Sequence, residues 1–283
     1  MKLLFIISQY LVPQHLLSRL VGKLADSTVP WVKNTFINAF IKHYQVDMSE
    51  AREPDPALYP SFNAFFTRPL KEDARAIADE PGIVCPSDGA ISEIGPITHG
   101  RILQAKGQTY SCSELLGGDA SLAAEFDGGQ FVTVYLSPKD YHRVHMPCAG
   151  QLRRTIYVPG DLFSVNQATA ENVPRLFARN ERLVSVFDTD QGAMASVMVG
   201  AMIVAGIDTV WAGQVAPPRR TLINTDFGPT DNSVALERGA EMGRFHLGST
   251  VILLFPKDAI EWLQSFSAGD SVRMGELLGR YTH

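Results

Sequence analysis

The chain has 283 residues, of which 45% are hydrophobic and 19% are charged. This balance is typical of a globular protein with a sizeable core and excludes a disordered chain. The formal net charge of −5 makes nucleic acid an unexpected partner. Cys85, Cys112 and Cys148 include no Cys-x-x-Cys pair. They fit neither a disulfide framework nor a zinc site, so we interpret them as small buried side chains in a reducing compartment.

The charge is unevenly spread along the chain. Residues 1–45 carry a single acid, Asp26, and five basic residues: Lys2, Arg19, Lys23, Lys33 and Lys42. This segment therefore has a net charge of +4, and the rest must carry −9 to reach the total of −5. A basic N-terminus on an acidic body predicts attraction to an anionic membrane surface.

The first 50 residues are predicted to be helical. One helix is expected after Pro13 and a second from Pro30, each with an apolar face flanked by basic residues. The first face holds Leu16, Leu17, Leu20, Val21 and Leu24, and the second holds Trp31, Val32, Phe36, Ile37, Phe40 and Ile41. Basic amphipathic helices with aromatic residues are typical of a lipid interface, although the same faces could pack on the protein's own core. The run Leu3–Ile7 is too short for a signal peptide, and no transmembrane helix is expected.

Beyond a proline-rich linker at residues 51–60, the chain becomes strand-rich from about residue 82. Short β-branched or aromatic runs predict strands at Gln130–Leu136, Arg153–Val158, Arg182–Phe187, Ala195–Val199, Thr209–Ala212 and Thr250–Phe255. Helical additions are expected at 110–116, 168–178 and 257–265. Residues 269–275 resemble the tight turn of lipoyl- and biotinyl-carrier folds. We therefore predict an α+β fold, with an amphipathic helical membrane-associating region at 1–50 and a β-rich catalytic domain at 51–283.

Three short segments carry groups that could perform chemistry. Asp88 lies in Cys85–Ala90, His142 and His145 lie in Leu136–Pro147, and Gly248-Ser249 precedes an apolar strand. A Gly-Ser pair at this position is either a simple turn or a site of self-cleavage, in which the serine hydroxyl attacks the preceding carbonyl. β-Elimination of the resulting ester would leave dehydroalanine, which hydrolyses with loss of ammonia to a pyruvoyl group at the new N-terminus.

These segments together resemble the phosphatidylserine decarboxylases, the membrane-associated pyruvoyl enzymes that make phosphatidylethanolamine. Further blocks resemble this family in the same order along the chain: Phe62–Leu70, Leu103–Gly107, Pro159–Asn166, Phe177–Arg182 and Val210–Gly213. The resemblance covers nearly the whole chain. It implies a self-processing proenzyme cleaved between Gly248 and Ser249 into chains 1–248 and 249–283.

The resemblance also implies a role for each matching residue. We hypothesise that Asp88, His145 and Ser249 form a protease-like triad that acts once, with His145 as the base. The pyruvoyl group made from Ser249 would form a Schiff base with phosphatidylserine and accept electrons as CO2 leaves. It would replace pyridoxal phosphate, and no metal is expected. We assign His142 to decarboxylation and protonation and give His246 no catalytic role.

The resemblance further implies phosphatidylserine and an anionic membrane surface as partners. The two cleavage fragments would form a heterodimer, with a homo-oligomer of that unit as a further possibility. The expected location is peripheral, on the cytoplasmic side of the inner membrane. Three alternatives remain open: a pyruvoyl enzyme for a soluble amino acid, a serine hydrolase with an uncleaved Asp88-His145-Ser249 triad, and a non-enzymatic membrane-binding β-domain.

Overall fold

The computed structural model of the protein describes residues 2–202, 206–216, 221–228, 233–246 and 249–282. Its α-helices are α1 (Lys2–Leu11), α2 (Gln14–Ala25), α3 (Pro30–Tyr44), α4 (Phe62–Phe66), α5 (Cys112–Leu115), α6 (Ala120–Ala124), α7 (Gln167–Asn172) and α8 (Leu176–Arg179), with a 3₁₀ turn at Pro56–Leu58. The strands of the first half are β1 (Ile83–Val84), β2 (Gly89–Pro96), β3 (Arg101–Ala105), β4 (Gln108–Ser111), β5 (Gln130–Leu136), β6 (Arg143–His145), β7 (Gly150–Val158), β8 (Arg182–Thr189) and β9 (Gly192–Val199). The remaining strands are β10 (Gly206–Thr209), β11 (Gly213–Ala216), β12 (Ile223–Asp226), β13 (Ala235–Leu236), β14 (Glu241–His246), β15 (Ser249–Phe255), β16 (Ile260–Trp262), β17 (Ser271–Val272) and β18 (Leu277–Tyr281).

A nine-stranded antiparallel sheet forms the centre of the fold. Its order is β12-β7-β8-β9-β15-β5-β2-β17, and β13 also pairs with β7. Strand β15 lies in the middle, between β9 and β5. Its residues alternate between two cores, with Val251 and Leu253 in one and Ile252 and Leu254 in the other. Because both faces of β15 are buried, its sequence is a continuous apolar run.

The predicted α+β fold is confirmed, since strands dominate and helices precede them in the chain. The helix predicted at 257–265 is wrong. Asp258 adopts a φ of 59°, which ends any helical course after Pro256, and Ile260–Trp262 instead pairs with β18. The strand predicted at Thr209–Ala212 is also wrong. Residues 210–212 form the turn between β10 and β11, and Gly213 closes it with a φ of 64°.

The other helical additions are present but shorter than predicted. Cys112–Leu115 occupies part of 110–116, and the segment 168–178 is divided between α7 and α8. The division falls at Val173-Pro174, because the residue before a proline avoids helical conformations. At the N-terminus, α1 lies inside the region predicted to be helical, although no separate helix before Pro13 was specified.

The N-terminal helices turn much of their apolar surface outward. Leu16 and Leu20 of α2 are 53% and 58% exposed, whereas its buried residues are Ser18, Gly22 and Ala25. Trp31 at the start of α3 is 75% exposed. None of the described helices combines the length and apolarity needed to cross a membrane.

A separate cluster attaches these helices to the segment that follows them. Ala25 and Ile37 are buried in one cluster with the phenylalanines of α4. The other members are Val46, Tyr59, Phe62, Phe65 and Phe66. Phe40 makes edge contacts with the rings of Phe62 and Phe66. The cluster therefore joins residues from both sides of position 50 and places α4 beside the central sheet.

Candidate active site

The predicted site residues come from segments that meet at one end of the central sheet. In the antiparallel register, Ala90 and Thr250 both lie opposite Tyr135, on either side of β5. Asp88 therefore precedes β2 at the same end where β5 stops and Ser249 begins β15. The loop after β5 leads directly to His142 and His145. Chain segments far apart in the sequence are brought together here by strand pairing alone.

Asp88 is almost fully buried and is held by two partners. Arg75 binds both of its carboxylate oxygens, with Nε 2.8 Å from Oδ1 and Nη2 bonded to Oδ2, and the Met274 N–H donates to Oδ1 at 2.9 Å. Burial alone would lower the pKa of Arg75, but its hydrogen bonds with Asp88 and Glu50 outweigh burial and raise it. At the next residue, Gly89, a Cβ would lie 2.3 Å from the Tyr135 carbonyl oxygen. Only glycine permits this close approach.

His145 lies on β6 with both ring nitrogens engaged. Nδ1 is 2.8 Å from the Gly239 carbonyl oxygen and Nε2 is 3.0 Å from the Tyr141 hydroxyl. Because a carbonyl only accepts, Nδ1 carries the proton and Nε2 is the basic atom. Burial lowers the pKa of this imidazole, and the Asp88 charge acts in the opposite direction. The described residues include no hydrogen bond between Asp88 and His145, so the carbonyl of Gly239 fixes the tautomer.

His142 is completely buried. Its Nδ1 donates to the Asp140 carbonyl oxygen at 2.8 Å, and its ring lies 4.0 Å from that of Phe66, centroid to centroid. Within the described chain its Nε2 has no hydrogen-bond partner. Burial lowers the pKa of His142 to about 3, so the ring is neutral at physiological pH. A buried, unpaired basic nitrogen costs stability, which makes it a candidate for function.

Ser249 is the first residue of β15 and has no exposed surface. Its Oγ lacks a hydrogen-bond partner among the residues that the structure describes. Both histidines are linked to the strands around it. The Phe245 N–H donates to the His142 carbonyl at 3.0 Å, and His145 pairs with Glu241 in the strand β14 that leads to Ser249. Gly248, the other half of the predicted cleavage site, lies outside the described residues.

A pocket of about 470 Å³ opens beside Asp88. Its walls come from the sheet end and from the segment between α3 and β1, and they include Arg68, Arg75, Asp88, Tyr135, Lys139, Asp140 and Tyr141. Sequence reasoning missed Arg75, Arg68 and Tyr141. Arg68 lies in one of the blocks quoted above, but nothing in the sequence distinguishes it from a surface arginine. Arg75 could not be identified as the partner of Asp88, because their pairing depends on how the fold arranges the two segments.

The basic residues and cysteines outside this pocket have structural roles. Lys106 forms an exposed ion pair with Glu171 at 2.9 Å, and His246 binds Asp208 at 2.8 Å. Buried Arg182 donates to the carbonyl oxygens of Glu114, Leu115 and Asn180. As predicted, the cysteines are free and buried at positions Cys85, Cys112 and Cys148. Burial raises the pKa of both Cys112 and Cys148 to about 12, so these thiols are not nucleophiles at neutral pH.

Comparison with known proteins places the chain in one family. A family model described as phosphatidylserine decarboxylase matches residues 62–280, and a second model, described as PSD, matches residues 4–45. A phosphatidylserine decarboxylase proenzyme of Pseudomonas fluorescens strain Pf-5 is 61% identical over 280 residues, which cover 98% of this chain and 97% of that protein. A protein of the same name from Ectopseudomonas mendocina is 60% identical over 98% of this chain and 97% of its own length. Another, from Pseudomonas entomophila, is 61% identical over 97% of this chain and 96% of its own length. The chain therefore belongs to the phosphatidylserine decarboxylase family.

Proposed function

We propose that this protein is a self-processing, pyruvoyl-dependent carboxy-lyase that converts phosphatidylserine to phosphatidylethanolamine and CO2. The observation that carries the proposal is Ser249. Its hydroxyl is buried, has no hydrogen-bond partner in the described chain, and lies at the sheet end where Asp88 and the two histidines converge. The names of the relatives include the word proenzyme, which supports processing of the chain.

Each polar group at the site has a part in self-cleavage between Gly248 and Ser249. His145 Nε2 takes the proton from Ser249 Oγ as that oxygen attacks the preceding carbonyl, once the Tyr141 hydroxyl has moved aside. The Gly239 carbonyl keeps the proton on Nδ1 throughout. Asp88, fixed by Arg75, stabilises the imidazolium through space rather than through a hydrogen bond. The resulting chains, 1–248 and 249–283, remain together as a heterodimer.

The buried and unpaired polar atoms of Ser249 and His142 fit a pyruvoyl group at position 249. That group supplies a carbonyl that binds the substrate amine and takes up the electrons released as CO2 leaves. His142 Nε2 then handles the proton that returns to the α-carbon. Burial keeps the His142 imidazole neutral, as expected for an apolar site. Such a water-poor site favours decarboxylation, because the substrate carboxylate loses its charge in that step.

The uncleaved serine hydrolase is disfavoured by the burial of its proposed nucleophile. Ser249 is 0% exposed in the uncleaved chain, which suits attack on the covalently adjacent backbone carbonyl better than attack on an external ester. The non-enzymatic β-domain gives no role to the meeting of the Asp88, histidine and Ser249 segments at one end of the sheet.

The N-terminal helices support a lipid substrate. Their exposed residues include Leu4, Phe5, Leu11, Leu16, Leu20, Leu24, Val29 and Trp31. A soluble enzyme gains nothing from so much exposed apolar surface, whereas a peripheral enzyme buries it in the lipid interface. We propose peripheral association with the cytoplasmic side of the inner membrane.

The proposal is tested by incubating the purified protein with vesicles of phosphatidylserine and, separately, with L-serine. We expect conversion of the lipid to phosphatidylethanolamine with release of CO2, and slower release from L-serine. Ser249→Ala is the matched control, since it removes a single oxygen at a buried position. Equal CO2 release by the Ser249→Ala protein would contradict the proposal, and faster turnover of L-serine would favour the enzyme for a soluble amino acid.

A further inference from the structure

Arg68 is the buried cation of the active-site pocket that no carboxylate neutralises. It is only 3% exposed, and its Nε and Nη1 atoms have no hydrogen-bond partner within the part of the chain that the structure describes. Its Nη2 makes a long contact of 3.3 Å with the Lys139 carbonyl oxygen. Two unpaired N–H-bearing nitrogens on a buried charge carry a large desolvation cost.

The carboxylates of the pocket each have a hydrogen-bond partner or an ion pair, and its other unpaired cation among the described residues, Lys139, is exposed to solvent. Arg75 bridges Asp88 and Glu50, and Arg273 reaches the second oxygen of Glu50 at 3.3 Å. Asp140 accepts the Ser137 N–H at 2.7 Å. Asp47 accepts the Ser49 N–H at 2.8 Å. Arg68 therefore remains as a fixed positive charge at the wall of a cavity large enough for a small anion.

The guanidinium of Arg68 is also held in place. Its side chain lies over the Phe65 ring, with Cζ 5.4 Å from the ring centroid. The preceding residue, Thr67, accepts a hydrogen bond from Arg143 Nε at 2.9 Å. Burial lowers the pKa of Arg68 below its ordinary value, as expected for a charge that still lacks a partner. A rigid fork of donors facing a cavity suits an oxyanion.

We propose that Arg68 binds the phosphodiester of the substrate and thereby sets the specificity for a phosphorylated serine head group over free serine. The inference rests on the proposed function, because the substrate amine must meet position 249. Arg68 follows Phe66 by two residues, and the ring of Phe66 lies 4.0 Å from that of His142, so we expect one head group to reach both Arg68 and His142.

The chemistry favours the phosphodiester over the carboxylate as the group that Arg68 binds. During decarboxylation, negative charge leaves the carboxylate. A guanidinium bound there would stabilise the ground state more than the transition state and would slow the reaction. The phosphodiester keeps its charge throughout. The carboxylate is better placed beside neutral His142 and the ring of Phe66, where it makes no direct contact with the guanidinium.

The test compares three soluble amines: glycerophosphoserine, glycerophosphoethanolamine and L-serine. Each is incubated with the full-length protein and cyanoborohydride, which fixes a bound amine on fragment 249–283. Mass spectrometry then gives the trapped fraction against ligand concentration. Arg68→Gln should raise the half-saturating concentration of both phosphodiesters about 10- to 100-fold, the loss expected of charge-assisted hydrogen bonds. L-Serine should be unaffected.

Arg52→Gln is the matched control. The backbone N–H of Arg52 donates to the carbonyl of Pro69, the residue after Arg68, at 3.0 Å. The side chain of Arg52, in contrast, is 66% exposed. The Arg52→Gln protein should trap all three amines like the wild type. Arg68→Lys, which retains the charge without the fork, should weaken trapping of both phosphodiesters by a smaller factor. The Arg68→Lys variant tests phosphodiester binding if the Arg68→Gln protein fails to fold or to cleave.

Two results would overturn the inference. In the first, trapping of all three amines is unchanged in the Arg68 variants. In the second, trapping weakens for L-serine and glycerophosphoserine but not for glycerophosphoethanolamine, which would assign Arg68 to the carboxylate. A wild-type protein that traps no amine at all would instead overturn the proposed function, so the two failures are distinguishable.

Discussion

The central sheet and the N-terminal helices are both rich in large apolar residues, but they use them in opposite ways. In β15, Val251 through Phe255 are buried on both faces. In α2, Leu16, Leu20 and Leu24 of the predicted apolar face are exposed, Leu17 is half-buried, and the contacts with the protein are made by Val21 and by small residues. The comparison teaches that apolar periodicity identifies a surface to be covered but not what covers it. In the sheet the cover is the protein itself, and in the helices we propose that it is lipid.

The largest expected effect is loss of processing when the sheet end is altered. Ser249→Ala should leave the full-length chain uncleaved, because no hydroxyl remains to attack the Gly248 carbonyl. His145→Ala should do the same, because it removes the base. Denaturing gel electrophoresis after overnight incubation measures the outcome. A normally processed His145→Ala protein would eliminate His145 as that base.

His142→Ala should separate processing from turnover. The variant should cleave like the wild type, but decarboxylation should fall by about 10²- to 10⁴-fold, the usual contribution of a general acid or base. Fragment masses and release of labelled CO2 from phosphatidylserine provide the two readouts. Wild-type turnover would show that the unpaired Nε2 of His142 has no part in the reaction.

Replacing the exposed leucines of α2 should weaken binding to membranes without affecting self-cleavage at the end of the sheet. The triple variant Leu16→Gln, Leu20→Gln, Leu24→Gln should cleave normally, while its partitioning to anionic vesicles should fall by about 100-fold, since burial of each leucine contributes on the order of 1 kcal/mol or more. Vesicle flotation measures the bound fraction. The control changes two exposed polar residues of the same helix while keeping their charge, Arg19→Lys and Lys23→Arg. Loss of processing in the leucine variant would contradict the division of roles.

Single leucines should show the same contrast in stability. In a Ser249→Ala background, which keeps one chain, Leu253→Ala should lower the free energy of unfolding by about 2–5 kcal/mol, because it creates a cavity in the core. Leu20→Ala should change it by less than about 0.5 kcal/mol, since that side chain is exposed. Urea unfolding followed by tryptophan fluorescence compares the two. Similar losses would mean that α2 is packed against protein in solution.

The last prediction concerns the pH dependence of stability, which develops gradually over several pH units. The folded protein keeps His142 neutral down to about pH 3, whereas an unfolded histidine takes a proton near its ordinary pKa of 6.5. The stabilising contribution is therefore complete above pH 6.5 and is lost as the pH falls towards 3, at about 1.4 kcal/mol for each pH unit. In the same single-chain background, His142→Gln should reduce this slope. Urea unfolding at several pH values measures it, and equal slopes would place His142 in contact with solvent.

The sequence predicted the strands better than the contacts between distant segments, and the roles of the site residues stay predictions. Strand runs such as Gln130–Leu136 were clear because both composition and turn residues agreed, and family-like segments identified Asp88, His142, His145 and Ser249. The helix at 257–265 was mispredicted because strand pairing with β18 overrode local propensity. The Arg75–Asp88 pair, the Gly239 carbonyl on His145 and the unpaired Arg68 could not be predicted, since each depends on which distant segments the sheet brings together.

The central claim is that the sheet end converts Ser249 into the reactive group of the enzyme, and intact mass spectrometry of the purified wild-type protein under denaturing conditions tests it most directly. The account predicts two chains, 1–248 and 249–283. The smaller chain should begin with a residue that is lighter than serine and lacks a free amine. A single unmodified chain of 31.0 kDa from folded protein would contradict it.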